Sequence, residues 1–285
     1  MILFLNGEKV LMDRYVGYKE VMLSDEELTE FYNSFDNPFD LKENEYLLIK
    51  NSNNEVIDKY RLNNGRLAKV KYKTVGDNFS GIIKPRNIQQ ELAFDMLKDG
   101  KTTLKLITGG FGSGKTLALC SAAIEAVNSG KFEKIVWVRN NIQVKDTDAL
   151  GALPGEALDK VFPYLGPFMD HTGGPDGVLR LIREDKLEVI PLGFLRGRSL
   201  RNCIILSSEA ENLTKEHIQL LIGRVDSGSE LWLDADLKQR DKAVFEKSAG
   251  LETLIERLAG NKLFGYVHLV KTERSETAQL ADLLD

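Results

Sequence analysis

Two patterns of apolar and polar residues divide the chain. From Glu45 to Tyr72 they alternate in three short runs, EYLLIKN, EVIDKYRL and RLAKVKY, separated by the turn-like segments NSNN and NNG. This alternation predicts an antiparallel meander. Before it, SDEELTEFYNSF predicts a short helix with Ser24 as N-cap and Glu27, three residues later, completing a capping box.

The second pattern begins after Lys84. Residues 87–97 have helical spacing, and strand-like and helix-like segments alternate after them. The strand candidates are LKLIT, KIVWVR, LEVIPL, NCIIL, ELWLD and GYVHLV, and several are too apolar to leave one face in water. Such strands separated by helices indicate a mostly parallel sheet covered on both faces. We therefore predict a small α+β module at 1–81 and an α/β domain at 82–285.

Composition narrows the class of protein. The 285 residues are 42% hydrophobic and 28% charged, as expected for a globular chain with one substantial core and a small appendage. A net charge of −5 argues against coating nucleic acid by bulk charge, although it allows a local basic groove. No apolar run reaches the roughly 18 residues of a membrane span. Cys120 and Cys203 lie in apolar segments and are expected to be reduced, buried thiols, so we expect a cytoplasmic protein without a membrane partner.

A glycine-rich segment carries the strongest chemical signal. Gly109 to Thr116 reads GGFGSGKT, matching GxxxxGK[ST] between an apolar strand and an apolar helix. Bare backbone amides at such a turn can surround phosphate oxygens, Lys115 should contact the β and γ phosphates of ATP, and Thr116 should bind Mg²⁺. The plainer alternative is a glycine-rich turn without a ligand. The expected phosphate-binding residues are Gly109, Gly110, Phe111, Gly112, Ser113, Gly114, Lys115 and Thr116.

Hydrolysis of ATP also needs a carboxylate that orients or deprotonates water. P-loop proteins usually place it at the end of a second apolar strand beside the phosphate loop. Here CIIL is followed by Ser207, Ser208 and Glu209. We predict that Glu209 activates the water.

With these motifs the sequence resembles the PhoH family of ATPases. The supporting strings are KPRNIQQELAFDML, the phosphate loop, LGALPGEALDKVFPYLGP, PLGFLRGRSL, SSEAENLT, GLETLIERL and LFGYVHLVKTERSETAQLADLL, which span about residues 82–285. The resemblance implies a RecA-like P-loop ATPase fold. The meander is similar to the segment that joins the ribonuclease and ATPase domains of PIN-fused members. Too few residues precede it for a PIN domain, so we expect no ribonuclease activity.

The resemblance also assigns roles to single residues. Gln90 matches a glutamine that reads the adenine edge, the alternative being a polar helix position. Glu209 matches the glutamate of the family's DEAQN string, but Ser208 stands where its aspartate would help to hold Mg²⁺, which predicts weaker metal binding and slower turnover. The family's TGDxxQ string appears as DADLKQ, so Gln239 should sense the γ-phosphate. Asp236 either compensates for Ser208 at the metal or caps the next helix.

Two sets of arginines extend the expectations to partners. Arg274 and Arg224 match family arginines, and one would reach the γ-phosphate of a neighbouring subunit, which implies a homo-oligomeric ring for which six subunits is the suggested size. Each could equally be an ordinary surface arginine. Three arginines and one asparagine, namely Arg139, Asn140, Arg196 and Arg198, are placed to grip single-stranded RNA or DNA. Its alternative is a solvated basic turn.

Three functions follow from these interpretations. The first is an ATP-driven, helicase-like motor on single-stranded RNA or DNA. The second is a nucleotide-binding regulatory module with weak turnover because of Ser208. The third, a small-molecule kinase, lacks a recognisable acceptor lid and base, and is disfavoured.

Overall fold

The computed structural model describes residues 4–5, 8–9, 15–34, 37–77, 79, 81–139, 165–238 and 250–273. In this part of the chain the strands are β1 (Phe4–Leu5), β2 (Glu8–Lys9), β3 (Tyr18–Met22), β4 (Tyr46–Lys50), β5 (Val56–Asn63), β6 (Arg66–Lys69), β7 (Val75–Asp77), β8 (Gly81–Ile83), β9 (Leu104–Gly109), β10 (Lys134–Arg139), β11 (Leu187–Pro191), β12 (Cys203–Ser207), β13 (Glu230–Ala235) and β14 (Phe264–Leu269). The helices are α1 (Asp25–Ser34), α2 (Ile88–Lys98), α3 (Lys115–Asn128), α4 (Gly166–His171), α5 (Pro175–Arg183), α6 (Lys215–Ile222) and α7 (Gly250–Leu258).

A six-stranded sheet forms the centre of the larger unit. Its order is β11-β10-β12-β13-β9-β14, and every neighbouring pair is parallel. Each strand candidate of the second sequence pattern supplies one of these strands, so the prediction of a parallel sheet is confirmed. Parallel strands bring their carboxyl ends to one edge, where loops that follow the strands can build a site.

Helices cover both faces of this sheet, as its continuously apolar strands require. On one face α2, α3, α4 and α5 pack into a single core around Trp137 and Trp232. On the other face α6 and α7 contribute Ile218, Leu221 and Leu254 to a second core. The result is a three-layer α/β unit, in agreement with the predicted fold class.

The N-terminal part carries a smaller, four-stranded sheet of order β3-β4-β5-β6. Its β4-β5-β6 portion is the predicted antiparallel meander, and α1 begins with the predicted capping box between Ser24 and Glu27. The sheet differs from the prediction in its fourth strand, because β3 pairs parallel to β4. Parallel pairing needs a crossover, which α1 provides between the two strands.

The smaller sheet docks onto α2 through buried polar contacts. The Arg61 guanidinium lies 2.9 Å from an Asp99 oxygen and also faces Asp95, which accepts a 3.0 Å hydrogen bond from the Tyr46 hydroxyl. Tyr46 and Leu48 belong to the same apolar core as α2 and α3. The domain boundary between residues 81 and 82 stays a prediction, since the two parts share a core.

The described residues also bear on two expectations from composition. Within them no helix is both long and apolar enough to cross a membrane. Cys120 and Cys203 are free and buried, as predicted from their apolar surroundings.

Candidate functional site

The phosphate-loop motif lies where β9 turns into α3. The turn depends on glycine at two points. Gly114 precedes the helix with φ +89°, a left-handed conformation that costs other residues about 1–2 kcal/mol. A side chain at Gly109 would bring its Cβ within 2.6 Å of the Leu269 carbonyl oxygen on β14. The first intrahelical hydrogen bond of α3 runs from the Ala118 amide to the Gly114 carbonyl. The helix amides before Ala118 have no acceptor within the helix, so they can bind an anion on the concave side of the loop.

The Lys115 ammonium group is folded onto this loop. Its Nζ donates to the carbonyl oxygens of Gly109 at 2.6 Å and Gly110 at 2.8 Å. The positive charge is thus held at the helix N-terminus, where the helix dipole also favours an anion. An entering phosphate would compete with the two carbonyls for this ammonium group.

Thr116, the predicted metal-binding hydroxyl, meets a carboxylate. Its Oγ1 donates a 2.6 Å hydrogen bond to Oδ2 of Asp234, which is 1% exposed at the end of β13. The other oxygen of Asp234 accepts from the backbone amide of Glu209 at 3.2 Å. Asp234 thereby joins the phosphate loop to the segment that carries the predicted water-activating group.

Glu209 has an unusual backbone conformation. Among the described residues, seven other than glycine have a positive φ, and six of them are Asn or Asp. Glu209, at φ 56°, is the exception. Non-glycine residues in this region cost about 1–3 kcal/mol and cluster at functional sites. The strained turn leaves the Glu209 side chain 56% exposed after β12.

Two further carboxylates surround this turn. Burial raises the pKa of Glu211 to about 7, and the neighbouring charges of Asp234 and Glu209 add to the rise. Glu211 Oε2 accepts a 3.0 Å bond from the Asp236 amide. Asp236 Oδ1 in turn accepts from the amide of Lys238 at 3.0 Å. This contact is a local turn two residues long, so the capping role and the metal-binding role of Asp236 both stay predictions.

Gln90 lies beside the phosphate loop. Its Nε2 donates to the Ser113 carbonyl at 2.9 Å, and its Oε1 accepts from the amide of Arg86 at 2.8 Å. Both ends of the amide thus support the loop and the segment before α2. The contact of Gln90 with adenine stays a prediction. It would use the hydrogen-bonding capacity that these two bonds leave on the amide.

A segment after β14 closes the outer side of the loop. The amide of Glu273 donates to the Gly112 carbonyl at 3.0 Å, and the hydroxyl of Thr272 donates to the Phe111 carbonyl at 3.1 Å. Asn87 anchors the same segment by a 2.7 Å bond to Glu273 Oε1. These contacts join the two ends of the α/β unit at the phosphate loop.

A cavity of about 790 Å³ opens between these elements. Apolar side chains such as Phe94 and Phe111 line one part, and the carboxylates described above line another. The predicted site residues that border it are Gln90, Phe111, Gly112, Gly114, Lys115, Thr116, Ser208, Glu209 and Asp236. The structure thus brings these nine predicted residues to one cavity, whereas Gly109, Gly110 and Ser113 are not among the residues that line it.

Arg139, predicted to bind nucleic acid, lies against the predicted water-activating residue. Its Nη2 is 3.5 Å from Glu209 Oε2, and its guanidinium covers the Trp137 ring. The two residues meet because β10 and β12 are neighbours and both end at the carboxyl edge of the sheet. An ion pair thus connects a residue predicted to bind nucleic acid with the residue predicted to activate water.

The other predicted basic residues lie outside the cavity lining. Arg198 pairs with Glu188 at 2.9 Å, and Arg224 Nη1 donates to the Arg198 carbonyl at 3.0 Å. Arg196 is exposed, and the described part of the chain offers it no ion pair. Three predicted residues, Asn140, Gln239 and Arg274, lie outside the described residues.

The strand order of the sheet brings a further carboxylate, to which the sequence analysis gave no role, next to the phosphate loop. The strand that leads to Glu209, β12, does not lie beside the phosphate-loop strand β9, because β13 lies between them. The carboxylate nearest to Thr116 therefore comes from β13, as Asp234. The sequence does contain a signal for it, since Asp234 directly ends the apolar run ELWL.

The donor atoms suit a hard divalent cation. A hydroxyl and carboxylate oxygens face the phosphate loop at Thr116 and Asp234, and oxygen is the ligand that Mg²⁺ prefers. In the described ranges no group of three His, Cys, Asp or Glu side chains could hold a metal. A cation here would therefore take its other ligands from phosphates and water, as Mg²⁺ usually does.

Comparison with known proteins agrees with these motifs. The sequence profile described as PhoH-like protein matches residues 82–281. Protein PhoH2 of Bacillus subtilis (strain 168) is 32% identical over 301 aligned positions, which cover 99% of this chain and 67% of that protein. Protein PhoH2 of Mycolicibacterium smegmatis is 32% identical over 202 positions, or 70% of this chain and 46% of that protein. The chain thus spans from 46% to 67% of the length of these relatives.

Proposed function

The chain belongs to the PhoH family, a nucleotide-binding family of ATPase type, and we propose that it binds ATP with Mg²⁺ and hydrolyses it. The observation that carries this proposal is the common cavity shared by Lys115, Thr116 and Glu209. It joins a phosphate-binding helix end, a hydroxyl for a cation and an exposed carboxylate for water. These are the parts that phosphoryl transfer to water requires.

Each residue has a distinct role in this proposal. The amides at the start of α3 bind phosphate oxygens, and Lys115 leaves the carbonyls of Gly109 and Gly110 to bind the β and γ phosphates. Thr116 provides a ligand for Mg²⁺, which supplies neutralisation of charge on the phosphates when bound. Glu209 accepts a proton from the attacking water.

Steady-state phosphate release tests the activity. We expect release by the unaltered chain, and a loss of about a hundredfold or more in Glu209→Gln, which keeps the side chain's shape without its basicity. Lys115→Ala should lose both binding and release. A wild type that binds Mg²⁺-ATP but releases no phosphate would instead favour a nucleotide-dependent regulatory module, the second candidate.

We further propose that single-stranded RNA or DNA stimulates the ATPase in a helicase-like or translocase-like manner. The Arg139–Glu209 ion pair supports this link, because a backbone phosphate that binds Arg139 would draw its guanidinium away from Glu209. In the same proposal Asn140, Arg196 and Arg198 contact the strand. Arg139→Gln should then raise phosphate release without a strand and reduce the stimulation by one. Unchanged stimulation in this variant would contradict the link.

A matched pair of variants tests the basic loop before β12. Arg196→Gln should weaken binding of a single-stranded oligonucleotide. The slope of log affinity against log salt concentration should become shallower by the amount expected for about one lost phosphate contact. Arg201→Gln removes the same charge from a guanidinium that already pairs with Asp226 at 2.8 Å, and it should change binding less. Equal effects of the two variants would argue against a specific contact at Arg196.

We also propose a homo-oligomeric, cytoplasmic protein with a ring of six subunits and a boundary between residues 81 and 82. An arginine from a neighbouring subunit, Arg274 or Arg224, would reach the γ-phosphate, and Gln239 would sense it. Sedimentation with and without Mg²⁺-ATP tests the assembly. A monomer under both conditions would refute it.

A further inference from the structure

Ser208 leaves a neutral side chain where an ATPase of this type needs a carboxylate near its metal. P-loop enzymes hold Mg²⁺ through the loop hydroxyl and an acidic residue from a nearby strand. The hydroxyl is present as Thr116, and it already bonds to a carboxylate, that of Asp234. The acidic partner is therefore present on a different strand.

The sheet register explains how one strand can replace the other. Ser207 of β12 is paired with Leu233 of β13, so the next residues, Ser208 and Asp234, stand side by side. Side chains alternate along strands, and Leu206 and Trp232, two residues earlier on each strand, both belong to the core beneath α3. Ser208 and Asp234 therefore share the face on which the phosphate loop lies.

We propose that Asp234 supplies the carboxylate that holds the nucleotide-bound Mg²⁺ beside Thr116, in the role that Ser208 cannot fill. The inference rests on the proposed function, because it assigns a further residue to the same ATP site. Position supports it, since β13 is the direct neighbour of the phosphate-loop strand β9. The site thus keeps one carboxylate for the metal, but this carboxylate lies on β13 and not after β12. Ser208 then gives no reason to expect slow turnover.

Asp234 also has a purely structural contact that the test must separate. Its Oδ1 accepts the amide hydrogen of Glu209 and so supports that residue's strained turn. Asparagine keeps an acceptor oxygen and nearly the same volume, but it removes the charge. Asp234→Asn is therefore the informative variant, and circular dichroism with thermal melting shows whether it folds.

The experiment measures calorimetric affinity for the ATP analogue AMP-PNP, once with excess Mg²⁺ and once with EDTA. The ratio of the two affinities reports how strongly the metal supports the nucleotide, without any turnover. The set comprises the wild type, Asp234→Asn, the exchange Ser208→Asp/Asp234→Ser and Glu256→Gln. Glu256 is an exposed residue of α7 outside the cavity lining, so its variant controls for the loss of one negative charge.

We expect the ratio to fall in Asp234→Asn by about tenfold to a hundredfold, as for loss of a charged ligand contact. In EDTA, by contrast, Asp234→Asn should bind the nucleotide more tightly than the wild type does, because a carboxylate no longer repels the phosphates. The exchange variant should regain most of the wild-type ratio, since its carboxylate stands one strand away on the same face. Glu256→Gln should match the wild type.

A wild-type ratio in Asp234→Asn would overturn the inference alone. If the two affinities fall by the same factor, the ratio stays at the wild-type value, and Asp234 makes only the structural contact with the Glu209 amide. A wild type that does not bind AMP-PNP under either condition would overturn the proposed function, and the inference with it. The two failures are thus distinguishable.

Discussion

Replacement of Arg61 by methionine should destabilise the protein by detaching the N-terminal sheet from α2. The guanidinium is 4% exposed, lies 2.9 Å from Asp99 and 3.9 Å from Asp95, and donates to Asn44 at 2.9 Å. Methionine keeps most of the apolar stem but removes the guanidinium from the buried carboxylate of Asp95 and from the partly buried carboxylate of Asp99. Removal of one partner from a buried ion pair costs about 3–5 kcal/mol.

This free energy can be converted to a melting temperature. Unfolding entropy of about 2.1 cal/mol/K per residue gives roughly 0.6 kcal/mol/K for a chain of 285 residues. The Tm of Arg61→Met should therefore fall by about 5–8 °C if the chain unfolds as one unit. Arg66→Met, at an exposed position of β6, should change the free energy of unfolding by only about 0.5 kcal/mol or less.

Acid should reduce the difference in Tm between Arg61→Met and the wild type. Burial alone would raise the pKa of Asp99, but the charges of Arg61 and Lys105 outweigh it and hold the pKa below its ordinary value. A carboxyl with a lowered pKa stabilises the fold above its unfolded-state pKa, and this stabilisation is lost as pH falls through the folded-state pKa. Differential scanning calorimetry over a pH series measures both effects. A Tm loss no larger than that of Arg66→Met would refute the reasoning.

Three further predictions concern other parts of the molecule. Glu211→Gln should raise the Tm at about pH 8 and not at about pH 4, because the raised pKa of Glu211, about 7 against an ordinary 4.5, lowers stability as pH rises through that window; a gain at both pH values would contradict this. Gly114→Ala should lower the Tm and weaken Mg²⁺-ATP binding, since φ is +89° and the new Cβ would lie 3.0 Å from the Gln90 amide. Gly110→Ala, with open space around the new Cβ, should leave the Tm unchanged, and an equal loss would argue against backbone strain. A thiol reagent should label Cys120 and Cys203 only after denaturation, and rapid labelling of the native chain would contradict their burial.

Local sequence patterns were sufficient for α1, the meander, the strands of the parallel sheet and the phosphate loop, but not for β3. The capping box at Ser24, the meander and the strands of the parallel sheet each depend on residues a few positions apart, so periodicity and turn residues could reveal them. The phosphate loop was identifiable for the same reason. Its chemistry resides in eight consecutive residues between a strand and a helix.

Features that depend on strand order could not be predicted in this way. The sequence shows that acidic residues follow two apolar strands, but not which strand lies beside β9. Asp234 was therefore read as part of a motif, and its bond to Thr116 was missed. Similarly, alternation along β5 gives no sign that Arg61 is buried against carboxylates from α2, because that partnership joins residues far apart in the chain.

Calorimetric titration of the wild type and Lys115→Ala with Mg²⁺-ATP tests the central claim most directly. The claim is that the N-terminal end of α3, with the ammonium group held beside it, binds the triphosphate. We predict saturable binding by the wild type and affinity lower by at least about tenfold in Lys115→Ala, for loss of a charged contact. Absence of binding by the folded wild type, or equal affinity in both proteins, would contradict the account.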